Sequence, residues 1–220
     1  MPGVQGEHYL TQEPRVHLNV PGDPFSLFYD YDQIRDRKLS ALSPREKARW
    51  FRARMEMIFL EPLRQLSNVS SEVFRALMFT SPERQPNCSF SIAAMIVMLN
   101  GVEAIGSFLV PEIPDGKAGA NRKRFETFLG QYMPTWLPVA DLLWRDFRNG
   151  IAHGFQITPP HSLEFLADGP FWRQREVVYV CPLHFFHDLE RAVAEYFDAL
   201  DRDQDLLQKF EKRFKKVYPC

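Results

Sequence analysis

An almost uninterrupted apolar segment, "SIAAMIVMLNGVEAIGSFLV" at residues 91–110, most limits what this chain can fold into. Its length approaches that of a membrane-spanning helix, but Asn100 and Glu103 interrupt it, and a charge at the centre of a bilayer is costly. A helix that is apolar on nearly all sides and does not cross a membrane must be covered by other elements. We therefore expect a soluble protein in which a helix from about Ser89 to Leu109 lies at the centre of a bundle.

Helical signals on both sides of this segment supply the elements that would cover it. Ser43, Pro44 and Glu46 form a capping pattern, because serine caps a helix, proline fits its first position and glutamate reaches back to the cap. This helix should continue to about Leu66. Further helices are predicted at about 71–79, at 120–132 and from Val139 onward.

The period of the pattern changes between Gly154 and Cys181. The stretches "FQITPP", "LEFL" and "REVVYVC" predict two or three strands, joined by turn residues such as "ADGP". Pro182 then begins a long helix whose apolar residues recur every three or four positions, with one defect at Asp203. We expect this helix to pack on the same core with a break in "DRDQD"; a coiled seam or a dimer interface is the alternative.

These patterns predict a mainly α fold: a helical bundle of about five helices with a small β-hairpin insertion before the C-terminal helix. The chain of 220 residues, 45% of them hydrophobic, is long enough for one sizeable core. We interpret residues 1–42, which are rich in proline, as an irregular arm packed on that core, with "RVHLNV" as a short edge strand. Residues 43–220 form the helical domain, with the β insertion at about 155–181.

Several classes of function lack their sequence features. Three scattered cysteines are too few for a disulfide framework, and no Walker-type loop, "GxGxxG" turn or "GxSxG" elbow is found. The spacing of His184, His187 and Asp188 is a weak metal signal, and we expect no metal and no cofactor. Since the N-terminus has no signal-peptide pattern, we expect a cytoplasmic protein. The net charge of −1 gives no indication of a nucleic-acid partner.

The stretch "DFRNGIAHGF", residues 146–155, groups an arginine, an asparagine and a histidine at the end of an amphipathic segment. On a regular helix, Arg148 points away from the apolar stripe and is not a core arginine. Asn149 and His153 are four residues apart and could hydrogen-bond, which would fix the imidazole nitrogen that carries the proton. Arg148 and His153 diverge by about 140°. A joint site therefore needs a bend at Gly150 or a facing second copy of the chain.

These residue types suit phosphodiester chemistry in RNA. An arginine binds phosphate through paired N–H donors, and a histidine, with an ordinary pKa of about 6.5, exchanges protons at neutral pH. Together they could promote attack of a 2′-hydroxyl on phosphorus without a metal. The alternative is a purely structural role for these residues. Arg148 would form a surface salt bridge with Asp141 or Asp146, and the negative end of the helix dipole would favour a positively charged His153.

Three neighbouring residues could support such a site. Glu103 lies in the most apolar helix and needs a partner, for which we suggest Arg145 or Arg148; a helix cap or an interhelical hydrogen bond is the alternative. Trp144, four residues before Arg148, could stack on its guanidinium, although packing at a subunit interface would also explain a tryptophan there.

The stretch "FRNGIAHG" resembles the signature of the HEPN superfamily, in which an arginine and a polar residue are followed by a histidine. The resemblance covers about Ser43 to the C-terminus and implies a small helical bundle, commonly a homodimer. Many members are metal-independent endoribonucleases of toxin–antitoxin, defence or RNA-processing systems. The resemblance also implies a role for each of the three residues. Arg148 binds phosphate, His153 transfers protons, and Asn149 orients His153.

The resemblance leaves two classes of function open. In the first, the chain is a cytoplasmic ribonuclease whose partners are RNA, a second copy of itself and a cognate antitoxin or other protein, with no membrane contact. In the second, it is a catalytically silent HEPN-like dimer that binds a nucleotide, RNA or a protein, because a fold alone does not establish cleavage.

Overall fold

A computed structural model describes residues 39, 41–65, 89–154, 156–164 and 169–219. Within them the chain is mainly helical, with a small sheet before the C-terminal helices, which confirms the predicted fold class. Residues 1–38 of the predicted arm, including its edge strand, and the helix predicted at 71–79 lie outside the described residues.

The described helices are numbered here in chain order. They are α1 (Pro44–Met55), α2 (Ser89–Leu109), α3 (Ala120–Tyr132), α4 (Ala140–Leu142), α5 (Asn149–Gly154), α6 (Pro182–Arg202) and α7 (Gln204–Val217). A π-helical turn (Glu56–Leu60) extends α1, which continues over 61–65. A 3-10 helix (Pro134–Val139) leads into α4, and a second π-helical turn (Leu143–Arg148) joins α4 to α5.

Local capping sets the ends of two helices as predicted. At the start of α1, the Glu46 carboxylate accepts the Ser43 backbone N–H at 2.7 Å, and the Ser43 hydroxyl accepts the Glu46 N–H. Asp203 is extended and breaks the long C-terminal helix into α6 and α7, where its carboxylate accepts the Leu206 N–H at 3.0 Å. Both helices bury an apolar face in the common core.

Helix α2 is the centre of the bundle, as its composition predicts. By length and composition its span Ile92–Leu109 could cross a membrane, with a mean hydropathy of 1.8, yet 61% of that span is buried inside the fold. Two glycines bring its neighbours close. A Cβ at Gly101 would lie 2.0 Å from the Phe59 ring, and one at Gly106 would lie 2.1 Å from the Arg124 carbonyl oxygen.

The sheet differs in detail from the predicted hairpin. Its strands are β1 (Ser162–Leu163), β2 (Phe171–Gln174) and β3 (Val177–Val180), in the order β1-β3-β2, with β1 parallel and β2 antiparallel to β3. The strand predicted in "FQITPP" is wrong, because residues 156–160 form no strand and prolines cannot donate to a ladder. Strand β2 was missed because its exposed side chains carry no alternating pattern.

The loop between α2 and α3 contains a carboxylate that two arginines share. Asp115 accepts hydrogen bonds from Arg213 of α7 at 2.8 Å and from Arg124 of α3 at 2.7 Å. Arg124 is buried and also donates to the Ile113 carbonyl at 2.8 Å. The hydrogen bonds from Arg213 and then Arg124 lower the pKa of Asp115 to about 2. The charged carboxylate therefore ties the loop to two helices.

We expect Asp115→Asn to destabilise the fold at neutral pH and to have little effect in strong acid. The folded-state pKa lies below the ordinary value of 3.8, so the charged carboxylate contributes stability above about pH 4 and loses it as the pH falls towards 2. The loss should be about 1 kcal/mol or less, because solvent screens the exposed carboxylate. Urea denaturation across this pH range measures it. Asp201→Asn, at an exposed site, is the control, and an Asp115→Asn variant as stable as wild type at neutral pH would contradict the prediction.

Candidate functional site

The motif segment is not a regular α-helix. Arg148 ends the π-helical turn, and the Asn149 N–H bonds to the Trp144 carbonyl five residues earlier. Directions worked out for a regular helix therefore do not hold here, and the expectation that Arg148 points away from the core is corrected. Its side chain is only 20% exposed and reaches α2. Such turns are frequent at functional sites because they redirect side chains.

Three contacts fix the Arg148 guanidinium. Nη2 donates to Glu103 Oε2 at 2.9 Å, and Nη1 donates to Asn149 Oδ1 at 3.1 Å. The guanidinium carbon lies 4.7 Å from the centre of the Trp144 ring, within the range of a cation–π contact. The buried Nε has no hydrogen-bond partner among the described residues. Of the suggested partners for Glu103, the structure selects Arg148, and the predicted stacking of Trp144 is observed.

Arg145 takes part in a different cluster. Its Nε and Nη2 donate to the two carboxylate oxygens of Asp146 at 3.0 and 2.6 Å, and Nη1 donates to Asp141 at 3.3 Å. The hydrogen bond to Asp146 raises the pKa of the Arg145 guanidinium. Arg145 is therefore not the partner of Glu103. The two aspartates proposed as salt-bridge partners of Arg148 pair with Arg145 instead.

His153 is exposed on α5. It makes no hydrogen bond or ion pair within the described part of the chain, and the expected contact with Asn149 is not formed. The Asn149 amide oxygen accepts from Arg148 Nη1 at 3.1 Å. Asn149 therefore orients the arginine rather than the histidine, and the imidazole of His153 remains accessible to solvent.

The chain folds back over the motif helix at Gly150. A Cβ at this position would lie 2.8 Å from the Gln156 carbonyl oxygen and 2.8 Å from the Thr158 hydroxyl. The Thr158 N–H donates to the Asp146 carbonyl at 3.0 Å. The glycine in the motif is thus required by packing.

His161 joins the sheet to this helix, and sequence reasoning missed it. Its Nε2 lies 3.4 Å from Oδ2 of the buried Asp146, and its Nδ1 accepts the Val178 N–H at 3.2 Å. A neutral His161 must therefore carry its proton on Nε2. Its ring also stacks on Phe147 at a centroid distance of 6.4 Å. No spacing in the sequence relates His161 to Asp146, because the contact depends on how the insertion folds.

The weak metal signal at the start of α6 resolves into ordinary side-chain contacts. Asp188 accepts from Trp136 Nε1 at 2.8 Å and from Arg191 at 2.7 Å. His187 is 72% exposed and lies 3.6 Å from Glu190. Across the described ranges, no three histidine, cysteine, aspartate or glutamate side chains come close enough to hold a metal ion.

Comparison of the chain with protein-family models, with curated proteins and with solved structures finds no match. The geometry of the chain's own residues is therefore the basis on which a function can be inferred. That geometry brings Glu103, Trp144, Arg148 and Asn149 together, leaves His153 at the surface, and places Arg145 in the neighbouring Asp146 cluster.

We expect that removing one partner of the Glu103–Arg148 ion pair lowers the free energy of unfolding more than replacing both partners with apolar residues. Arg148→Met alone leaves a largely buried carboxylate unpaired and should cost about 2 kcal/mol or more. The Glu103→Leu/Arg148→Met double variant should return to within about 1 kcal/mol of wild type. A double-mutant cycle in urea measures both values.

Arg122→Met serves as the control for this cycle, because Arg122 pairs with Glu126 and Asp141 at the surface and should contribute little. Strictly additive losses at Glu103 and Arg148 would show that the two side chains do not stabilise each other.

Proposed function

We propose that this protein is a metal-independent endoribonuclease of the HEPN type, with a site built from Arg148, Asn149 and His153 at the interface of a homodimer. The observation that carries the proposal is the fixed guanidinium of Arg148, which Glu103, Asn149 and the Trp144 ring hold in one orientation. The sequence resemblance of "FRNGIAHG" supplies the reaction class. We also propose that this ribonuclease acts as a toxin or as a component of a defence system.

Arg148 retains donors for a phosphate. Its two Nη atoms carry four hydrogens, and Glu103 and Asn149 accept one from each atom. The remaining hydrogens and the exposed fifth of the side chain can meet a phosphate oxygen. Because the guanidinium is already oriented, little conformational freedom would be lost when the transition state forms.

His153 has the properties that proton transfer requires. Its imidazole is exposed and no described residue occupies its nitrogens. In the proposed reaction, His153 takes the proton of the ribose 2′-hydroxyl and the oxygen attacks the adjacent phosphorus. The bond to the 5′-oxygen breaks, that oxygen receives a proton, and the products are a 2′,3′-cyclic phosphate and a 5′-hydroxyl. Arg148 stabilises the charge on the phosphoryl oxygens.

A second copy of the chain completes the site in this proposal. No contact joins Arg148 to His153 within the described protomer, and the two side chains have different environments. A two-fold axis near the motif would bring the Arg148 of one protomer towards the His153 of its partner. Each dimer would then contain two equivalent composite sites.

Purified wild-type protein should cleave a mixed RNA pool in EDTA, and His153→Ala should abolish the cleavage while the fold is retained. The loss should be at least about a hundredfold, the usual contribution of a positioned acid or base. Gel analysis of the products should show cyclic phosphate ends, and DNA of matched length should remain intact. His187→Ala, which changes another exposed histidine, is the matched control and should leave the rate unchanged. Equal cleavage by wild type and His153→Ala would remove this motif from the reaction.

Mixing two inactive variants tests the composite site. Protomers carrying Arg148→Ala and protomers carrying His153→Ala should, after exchange, form heterodimers with one intact site each. Random pairing should restore about a quarter of the wild-type activity. Cleavage measured before and after subunit exchange gives the answer, and no recovery in a confirmed heterodimer would place both residues of a site in one protomer.

One observation favours the alternative of a catalytically silent binding module. The charge of Arg148 is already balanced by Glu103 at 2.9 Å, which is the arrangement of a structural ion pair between two helices. Folded wild-type protein that leaves every RNA in the pool intact would select this alternative.

A further inference from the structure

The solvent side of α7 carries four lysines. Lys209, Lys212, Lys215 and Lys216 are all exposed, and on a helix with 100° per residue their directions fall within about 120° of one another. The opposite side of α7 packs into the core through its buried apolar residues. We call these four residues the lysine face.

Two carboxylates beside the lysine face are each shared by two cations. Glu211 Oε1 lies 3.1 Å from Lys215 Nζ and 3.6 Å from Nζ of the buried Lys47 of α1. Asp115, in the loop between α2 and α3, accepts hydrogen bonds from the two arginines described above. Around each carboxylate, positive charge is therefore in excess.

Three of the four lysines have no carboxylate partner among the described residues. Lys209 and Lys212 form no ion pair there, and Lys216 Nζ donates to the backbone carbonyl of Pro111 at 2.8 Å. A carbonyl does not neutralise an ammonium group, so the charge of these three lysines is uncompensated.

This end of the bundle is positively charged although the chain as a whole carries a net charge of −1. Residues 209–217, the loop 110–119 and the two cations that pair with them, Lys47 and Arg124, contain eight lysines and arginines against three acidic residues. The cations come from stretches that are far apart in the sequence. Only the packing of α1, α3 and α7 brings them together.

The helix dipole accounts for only part of this pattern. Cations are favoured in the last turn of a helix, which explains Lys215 and Lys216. Lys209 and Lys212 lie before the last turn, and no contact within the described fold requires them to be charged. An anionic partner would account for both.

We propose that the lysine face binds the phosphate backbone of single-stranded RNA, whatever its sequence. This inference rests on the proposed function and extends it, because it names a contact to the substrate outside the cleavage motif. Lysine binds phosphate as a point charge and needs no aromatic neighbour. Lys209, Lys212 and Lys216 span about 10 Å along the helix, so they can contact more than one phosphate of a strand.

Helix α3 connects the lysine face to the motif segment. Arg124 near its start shares Asp115 with α7, and the ring centroid of the next residue, Phe125, lies 5.5 Å from that of Trp144. A strand bound to the lysine face is therefore held on a part of the core that also packs against the motif.

A phosphate backbone accounts for the lysine face better than a membrane or a protein does. The exposed positions of α7 from Gln204 to Lys216 are all polar or charged, and the apolar side of the helix is buried in the core. A helix that lies in a membrane surface needs its apolar side for the lipid. The centre of a stable protein interface is depleted of charged residues. The lysine face meets neither requirement, whereas phosphates need only the charge.

Binding of a short single-stranded 2′-O-methyl RNA of mixed sequence tests the lysine face without cleavage, because that sugar has no free 2′-hydroxyl to attack phosphorus. Fluorescence anisotropy at about 0.1 M salt should show about twentyfold weaker binding for Lys209→Gln/Lys212→Gln. The slope of log affinity against log salt should fall by about 1.4, because each phosphate contact on a single strand contributes about 0.7. Both lysines are exposed and have no ion-pair partner among the described residues, so the variant should keep the Tm of wild type.

Arg173→Gln/Arg175→Gln is the matched control. It removes the same number of charges from exposed positions on the sheet, and neither arginine forms an ion pair within the described ranges. Its affinity and its salt slope should equal those of wild type. Equal losses in the two double variants would mean that only net charge matters and would overturn the lysine face as a site.

The outcomes separate this inference from the proposed nuclease. If wild type cleaves RNA and the 2′-O-methyl RNA binds equally to wild type and to the double lysine variant, the lysine face is wrong and the nuclease stands. If binding depends on the two lysines while no RNA is cleaved, the lysine face stands and the nuclease falls. If both hold, the double lysine variant should raise KM more than it lowers kcat. Absence of any RNA binding, or lysine-dependent binding to phosphatidylserine vesicles in its place, overturns the inference.

Discussion

The carboxylate of Glu103 is the constraint on which the candidate site depends. It lies on the most apolar helix of the chain, where an unpaired charge would be costly, and Arg148 is its partner at 2.9 Å. That pairing brings the motif segment against the central helix α2. Arg148 ends the π-helical turn of Leu143–Arg148, and its guanidinium carbon lies 4.7 Å from the centre of the Trp144 ring. One electrostatic requirement thus sets the position of the motif.

A second set of contacts attaches the sheet to the same helix. Asp146 is buried, and its carboxylate meets both Arg145 and His161, while its carbonyl accepts the Thr158 N–H. Gly150 allows the returning chain to approach closely. The insertion is therefore part of the surroundings of the motif and not an appendage. The motif segment is therefore attached both to α2 and to the β-sheet.

The geometry also divides the motif into two parts with different physical roles. Arg148 and Asn149 are partly buried and hydrogen-bonded to each other, so contacts within the chain determine their positions. His153, on the short helix α5, is exposed and has no partner in the described ranges. The proposed reaction uses the fixed guanidinium of Arg148 to bind the phosphate and the accessible imidazole of His153 to transfer the proton.

The sequence by itself determined the features that depend on local hydrogen bonds and periodicity. The bounds of α2, the cap at Ser43 and the break at Asp203 follow from neighbouring residues, and the need of Glu103 for a cation follows from its apolar surroundings. Only the tertiary structure decided that the cation is Arg148, that the motif contains a π-helical turn, that His161 contacts Asp146 and that Arg124 and Arg213 share Asp115. The physical reason is that each of these contacts joins residues whose meeting depends on how separate elements pack, and no spacing along the chain encodes that packing.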